Sequence, residues 1–258
     1  ASARTNDLTA RADELQRALH ALPLFPLPGT VFFPHTLLPL HVFEPRYRQM
    51  TEHVLASHQH LGVVCTSDAG VDGNDGNDGN DVVGGNGGAG GKGGARAGGS
   101  AVRGGAKVAG VGRVVHHERL ADGRFHILLQ GVARAELVEE LAMDGVLYRR
   151  AAARIAECDD GDDGDAEAAL EEVRTLRSCY ARLLEACPET KDTLGDLPLR
   201  VQEPRVLADV VCAAVLEDVS ARQAALEETS VARRLRCAND ALATLLLQSL
   251  ATETARMH

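Results

Sequence analysis

The sequence has 258 residues, 45% of them apolar, which is enough for one large or two small domains around a real core. Its formal charge of −10 works against a phosphate-binding surface, because affinity for nucleic acid comes mainly from Lys and Arg neutralising phosphates. No run of about 18 consecutive apolar residues exists and no signal pattern opens the chain, so neither a membrane span nor a leader is expected and a cytoplasmic location is the default.

Residues 1–19 form an N-terminal extension. Residues 22–43, LPLFPLPGTVFFPHTLLPLHVF, are apolar and β-favouring but broken by five prolines, a composition that suits short strands and bends at a sheet edge and excludes a long helix. Glu44-Pro45-Arg46 then opens a helix to about Ser57, with Pro at a position whose missing N–H costs nothing and Tyr47, Met50 and Val54 at helical spacing.

Residues 61–65 read as a strand whose continuation is residues 106–117, AKVAGVGRVVHH. Between them, residues 68–106 hold 16 of the 26 glycines and a GND triplet repeat, with almost nothing to bury, and a disordered insertion is expected. Two further strand-like runs, residues 123–130 and 131–138, follow an Asp122-Gly123 turn signal. With residues 111–120 and 146–155 they predict a mostly antiparallel sheet.

The acidic, glycine-bearing stretch DDGDDGD at 159–165 suits a linker, and everything after it has helical period. Leu170, Val173, Leu176, Tyr180, Leu183, Leu184 and Cys187 line one helix face, and Val206, Leu207, Val210, Val211, Ala214 and Val215 another after Pro204. Ser220-Ala221-Arg222-Gln223 fits a capping box, and Ser230 caps a last long helix carrying Leu235, Ala238, Leu242 and Leu245. Four helices then pack as a bundle. The six cysteines show no CxxC pair and read as reduced core residues.

Three separated stretches resemble the N-terminal domain of Lon proteases. The first is Leu22-Pro23-Leu24-Phe25-Pro26-Leu27-Pro28-Gly29-Thr30-Val31-Phe32-Phe33-Pro34 with Leu38-Pro39-Leu40-His41-Val42-Phe43-Glu44-Pro45-Arg46-Tyr47. The second is Gly110-Val111-Gly112-Arg113-Val114 followed by Leu128-Leu129-Gln130-Gly131-Val132-Ala133-Arg134. The third is Leu207-Ala208-Asp209 with Arg222-Gln223-Ala224-Ala225-Leu226-Glu227 and Val231-Ala232-Arg233-Arg234-Leu235. The resemblance implies an α+β chain: a PUA-like twisted β pseudo-barrel over 20–157, then the acidic linker and a C-terminal helical bundle over 158–258.

The resemblance also implies recognition of unfolded or degron-bearing polypeptides, which makes polypeptide segments or a protein partner the expected ligands. Phe32, Phe33, Pro34, His35 and Phe43 are the candidate peptide-binding residues, on an exposed apolar surface or strand edge. On a regular strand only one of the adjacent Phe32 and Phe33 can face inward, and the other is the better candidate. For Phe32 and Phe43 the core is the commoner fate of aromatics in strands.

Catalysis is not carried over. The nearest approach to a phosphate loop, Asn86-Gly87-Gly88-Ala89-Gly90-Gly91-Lys92-Gly93, fails at its first and last positions, and its G-x-G-x-x-G match is of the kind any glycine-rich stretch provides. Lys92, Lys107 and Lys191 lie in polar surroundings that would not lower a lysine pKa, so no serine–lysine dyad suggests itself. No register of the acidic stretches fits an EF-hand, His53 and His58 are too far out of phase to share a helix face, and no cofactor or metal is expected. The alternative reading is RNA binding, supported by Arg149-Arg150 and Arg233-Arg234-Leu235-Arg236, since PUA-like folds also serve RNA.

Overall fold

A computed structural model describes residues 12–66, 106–156, 163–188 and 190–256. The glycine insertion, apart from its last residue, and Cys158 lie outside the described residues, as does most of the acidic linker, whose residues 163–165 open a helix.

A first helix (α1, residues 12–19) buries Ala18 and Leu19 against the sheet. The strands are β1 (Leu22–Pro28), β2 (Leu37–Val42), β3 (His60–Thr66), β4 (Val108–Arg119), β5 (Phe125–Leu141) and β6 (Arg150–Ile155), with helix α2 (Pro45–Leu55) between β2 and β3. Their order is β2-β5-β4-β3-β1-β6, and β6 also pairs with β5, so β1, β3, β4, β5 and β6 close on themselves. This is the expected pseudo-barrel, antiparallel except for β1 against β3. Past Leu24, β1 pairs only with β3, so Pro26 and Pro28 fall where one side of the strand needs no N–H.

The two strand-like runs at 123–138 are one strand. β5 continues through Gly131 to Leu141, with a register irregularity opposite Val111 and Gly112. Phe125, Ile127 and Leu129 are buried before it and Ala135 and Leu137 after it, but between them Val132 and Ala133 are both half-buried and Arg134 is buried, and that interruption of the alternation looks like a turn in sequence.

Helix α2 places Tyr47, Met50 and Val54 on the barrel core, with Tyr47 stacked on Phe25 at 4.3 Å between ring centroids. The remaining helices are α3 (Asp163–Ala186), α4 (Thr190–Leu194), α5 (Leu197–Arg200), α6 (Pro204–Val215), α7 (Val219–Glu227) and α8 (Val231–Arg256). The stripes of α3, α6 and α8 meet in one core that includes Val173, Leu176, Tyr180, Leu207, Val211, Leu235 and Leu242. Ser230 caps α8 as expected, its Oγ accepting from Arg233 N at 3.1 Å. The capping box at Ser220 is not formed. Asp218 caps α7 by accepting from Ala221 N at 2.7 Å, and Gln223 instead donates to the Val108 carbonyl, tying the bundle to the barrel. Cys212 sits inside the bundle, where burial first, and then neighbouring Cys237 and Asp209, push its thiol up to about 12. Such a thiol is a packed apolar group and not a nucleophile.

Candidate functional site: a strap, a junction and a sheet edge

The residues between β1 and β2 form a strap across the seam between barrel and bundle. Its backbone lies so close to two barrel strands that side chains there are impossible. A methyl group at Gly110 would fall 1.9 Å from the Phe32 carbonyl oxygen, and one at Gly131 would fall 2.1 Å from that of Phe33. Glycine at these two motif positions is therefore a packing requirement. Hydrogen bonds fix the strap: His35 N donates to Gly131 O at 2.9 Å, Gly131 N to Thr36 O at 2.8 Å, and Thr36 Oγ1 to Phe33 O at 2.7 Å.

Because the strap is sandwiched, its alternating side chains enter two different cores. Phe32, 3% exposed, joins the barrel cluster, and Phe33, 1% exposed, joins the bundle cluster with Val31 and Val108. The expectation that one of the pair faces outward is not met, since the strap has protein on both sides. Pro34 is buried, while His35 is exposed and holds a left-handed backbone at φ 64°.

Beneath the strap, the second and third motif stretches converge. Arg134 of β5 donates from Nη2 to Asp209 Oδ1 of α6 at 2.6 Å, and Arg234 Nε of α8 lies 3.4 Å from the same oxygen. Arg134 is 3% exposed and the other two are wholly buried. Both arginines are also held by carbonyls, Arg134 Nε by Leu226 O at 3.0 Å and Arg234 Nη1 by Glu228 O at 2.8 Å. Charges buried this deeply persist only when paired and hydrogen-bonded, as here.

A cavity of about 410 Å³ opens onto this group. β5 pairs with β2 through Gln130 and with β6 from Ala135 onward, so residues 131–134 fall in a gap between those two strands. The cavity occupies that gap, with Val132, Ala133 and Arg134 on one wall, Pro34 and His35 from the strap, and Ile155 and Ala156 at the end of β6. Asp209, Glu203 and Arg205 of the bundle side complete it.

The third element is the outer face of β2. This strand ends the sheet, and among the described residues no strand pairs with its other side. Leu38 and Leu40 pack against the barrel core, while Leu37, His41 and Phe43 face solvent, Leu37 at 61% and Phe43 at 60% exposure. His41 lies edge-on to His126 of β5, with centroids 4.9 Å apart, and 6.0 Å from the Phe43 ring. The five candidate residues are thus not one site: Phe32 and Phe33 are core, Pro34 and His35 line the cavity, and Phe43 stands on the sheet face. Leu37, Arg134 and Asp209 were not singled out as site residues.

The basic clusters are largely neutralised. Arg149 pairs with Glu140 at 2.6 Å, Arg233 with Glu228 at 2.9 Å and Arg236 with Glu172 at 2.9 Å, while Arg234 is buried. Among the described residues there is no group of three metal-binding side chains, and no helix is long and apolar enough to cross a membrane.

Comparison with known proteins places this geometry. The sequence profile described as the ATP-dependent protease La (LON) substrate-binding domain matches residues 21–244. Curated relatives include a Lon protease of Syntrophus aciditrophicus, 24% identical over 222 residues, which cover 83% of this chain and 24% of that protein. Lon protease 2 of Herpetosiphon aurantiacus is also 24% identical, with 83% of this chain and 23% of that protein covered. The chain thus spans about a quarter of the length of these relatives. Among solved structures, the N-terminal domain of Mycobacterium avium complex Lon protease superposes with a TM-score of 0.55 at 16% identity, covering 86% of this chain and 98% of that one. A Lon N-terminal domain protein from Xanthomonas campestris gives 0.51 at 17% identity, covering 84% of this chain and 95% of the other.

Proposed function

This chain belongs to the LON substrate-binding domain family, and from that premise we propose that it is a non-catalytic module recognising unfolded or degron-bearing polypeptides, serving as an adaptor. The observation that carries the reading is the free edge of β2, with Leu37 and Phe43 exposed beside it. An edge strand carrying large apolar side chains is an aggregation hazard that proteins normally blunt, and its retention fits a surface used for pairing. An extended segment added there gains main-chain hydrogen bonds from the strand and apolar contact from alternate side chains.

Binding of the purified protein to an array of unstructured peptides, in parallel with single-stranded RNA at low and high salt, tests the proposal. Peptide binding that survives salt and weakens in Phe43→Ser and Leu37→Ser supports it. Salt-sensitive RNA binding without a peptide signal would replace it by the RNA reading. Casein digestion with and without ATP tests the non-catalytic part, and turnover by pure protein would overturn it.

A further inference from the structure

The free edge of β2 is not uniform along its length. Gly131 N of β5 donates to Thr36 O at 2.8 Å, and β2 continues in the same register, with Leu37 opposite Gln130 and Pro39 opposite Leu128. Main-chain groups alternate in direction along a strand, so Leu38, Leu40 and Val42 turn theirs to β5, and Leu37, Pro39 and His41 turn theirs to the free edge. Among the described residues no strand pairs with that edge. Leu37 and His41 each offer it an N–H and a C=O, whereas Pro39 offers only a C=O. The Pro39 ring stands where the middle N–H would be.

That ring bears differently on two kinds of occupant. A foreign extended segment can use every group the edge offers: it loses the single bond that its own carbonyl would take from residue 39, and it bows around one ring. A second copy that pairs antiparallel about a two-fold axis at Pro39 sets one Pro39 against the other. Both bonds of the central pair are then lost and two rings collide, while the flanking pairs of Leu37 with His41 remain. Moving the axis to Leu38 or Leu40 sets Pro39 against Leu37 or His41 and leaves only one bond in each of those pairs. Self-pairing therefore meets the missing N–H twice, and a foreign segment meets it once. The guard has something to prevent, because Leu37 and Phe43 are exposed beside the edge and identical apolar edges tend to join.

We propose that Pro39 is a specificity-determining residue of this edge, which accepts an extended segment of another polypeptide and turns away a second copy of this chain. The inference rests on the reading of β2 as a polypeptide-binding edge and adds which strand that edge takes.

Pro39→Thr restores the N–H with a β-favouring side chain and is compared with the parent, both as the whole chain, in two assays. In sedimentation velocity over a concentration series, the variant should self-associate and the parent should not. Hydrogen exchange at the Leu37 and His41 amides should slow as the variant associates, which locates the contact on β2. The second assay is binding of acetyl-Lys-Val-Thr-Val-Thr-Val-Lys-amide, a soluble strand-forming segment, below the concentration at which the variant associates. One recovered bond should tighten peptide binding about fivefold, and two should tighten self-association by about 25-fold or more. The proposal falls if Pro39→Thr stays monomeric, if the parent already pairs through Leu37 and His41, or if the substitution strengthens both equilibria by the same factor. A parent that binds no peptide overturns the polypeptide reading and the acceptance it implies, while the association assay by itself decides the refusal of a second copy.

Discussion

The junction beneath the strap and the outer face of β2 lie at opposite extremes of the same barrel. At the junction, Arg134, Asp209 and Arg234 are buried and charged, with both arginines also donating to carbonyls, and Gly110 and Gly131 are held by backbone contact. On β2, Leu37 and Phe43 are apolar, exposed and held by little beyond their own strand. The second and third family-like stretches converge on the first region, which keeps barrel and bundle in register, while the first stretch runs through β2 itself, whose outer face is free to meet a partner. Substitution should separate the two, with stability lost at the junction and binding lost on the sheet.

The largest effect is expected at Asp209. Asp209→Ala removes the carboxylate that two buried guanidiniums share, and removing one partner of a buried charge group costs about 3–5 kcal/mol. Urea unfolding measures this, and a loss under about 1 kcal/mol would show that the junction does not depend on its charges.

Next comes Gly131→Ala, expected to cost about 1–3 kcal/mol because the added methyl meets backbone that cannot swing away. Gly62→Ala is the control. Its methyl meets the Leu22 side chain at 2.8 Å, which can rotate aside, so its cost should be smaller. Equal costs would mean that the strap yields as easily as a side chain.

Those glycines also show what a single sequence discloses. Periodicity placed α2, α6 and the start of α8, because one buried face per helix is a local signal. Barrel closure was not local, since β6 returns to both β1 and β5. β5 read as two strands because Gly131 interrupts its run of side chains, and the reason for that glycine, the Phe33 carbonyl lying against it, comes from a segment far away in sequence; the partner of Arg134, Asp209, is likewise 75 residues away. Arg134 and Asp209 were visible as motif residues, but their meeting was not. Phe32 and Phe33 misled for the reverse reason: a strap with protein on both faces has no outward side.

The histidines contribute a smaller, pH-dependent effect on the barrel. Burial first, and then nearby cations, lower the pKa of both His58 and His60, and His58 Nδ1 accepts the His60 backbone N–H at 3.1 Å, which needs a neutral ring. With the folded value below the ordinary 6.5, the unfolded chain binds more protons as pH falls through that value. This contribution to stability is therefore complete above it and is lost on acidification. His58→Asn keeps an acceptor without a titrating ring, and its stability should fall less than that of the parent between pH 7 and pH 5. Identical slopes in urea titrations would remove His58 from the account.

Phe43→Ser should change stability least, within about 0.5 kcal/mol, because the ring is mostly in solvent and outside every core cluster. Its value lies in pairing that near-null result with a binding assay. If Phe43 were a core residue set near the surface, replacing it would lower unfolding stability and peptide affinity together. If it is a contact residue on a free edge, affinity falls while the urea midpoint stays put. Leu37→Ser supplies the second point on the same strand, separated from Phe43 by Pro39 and His41 on the exposed face. A peptide paired along β2 should sense both changes, and one held only at the helix entry should sense Phe43 alone.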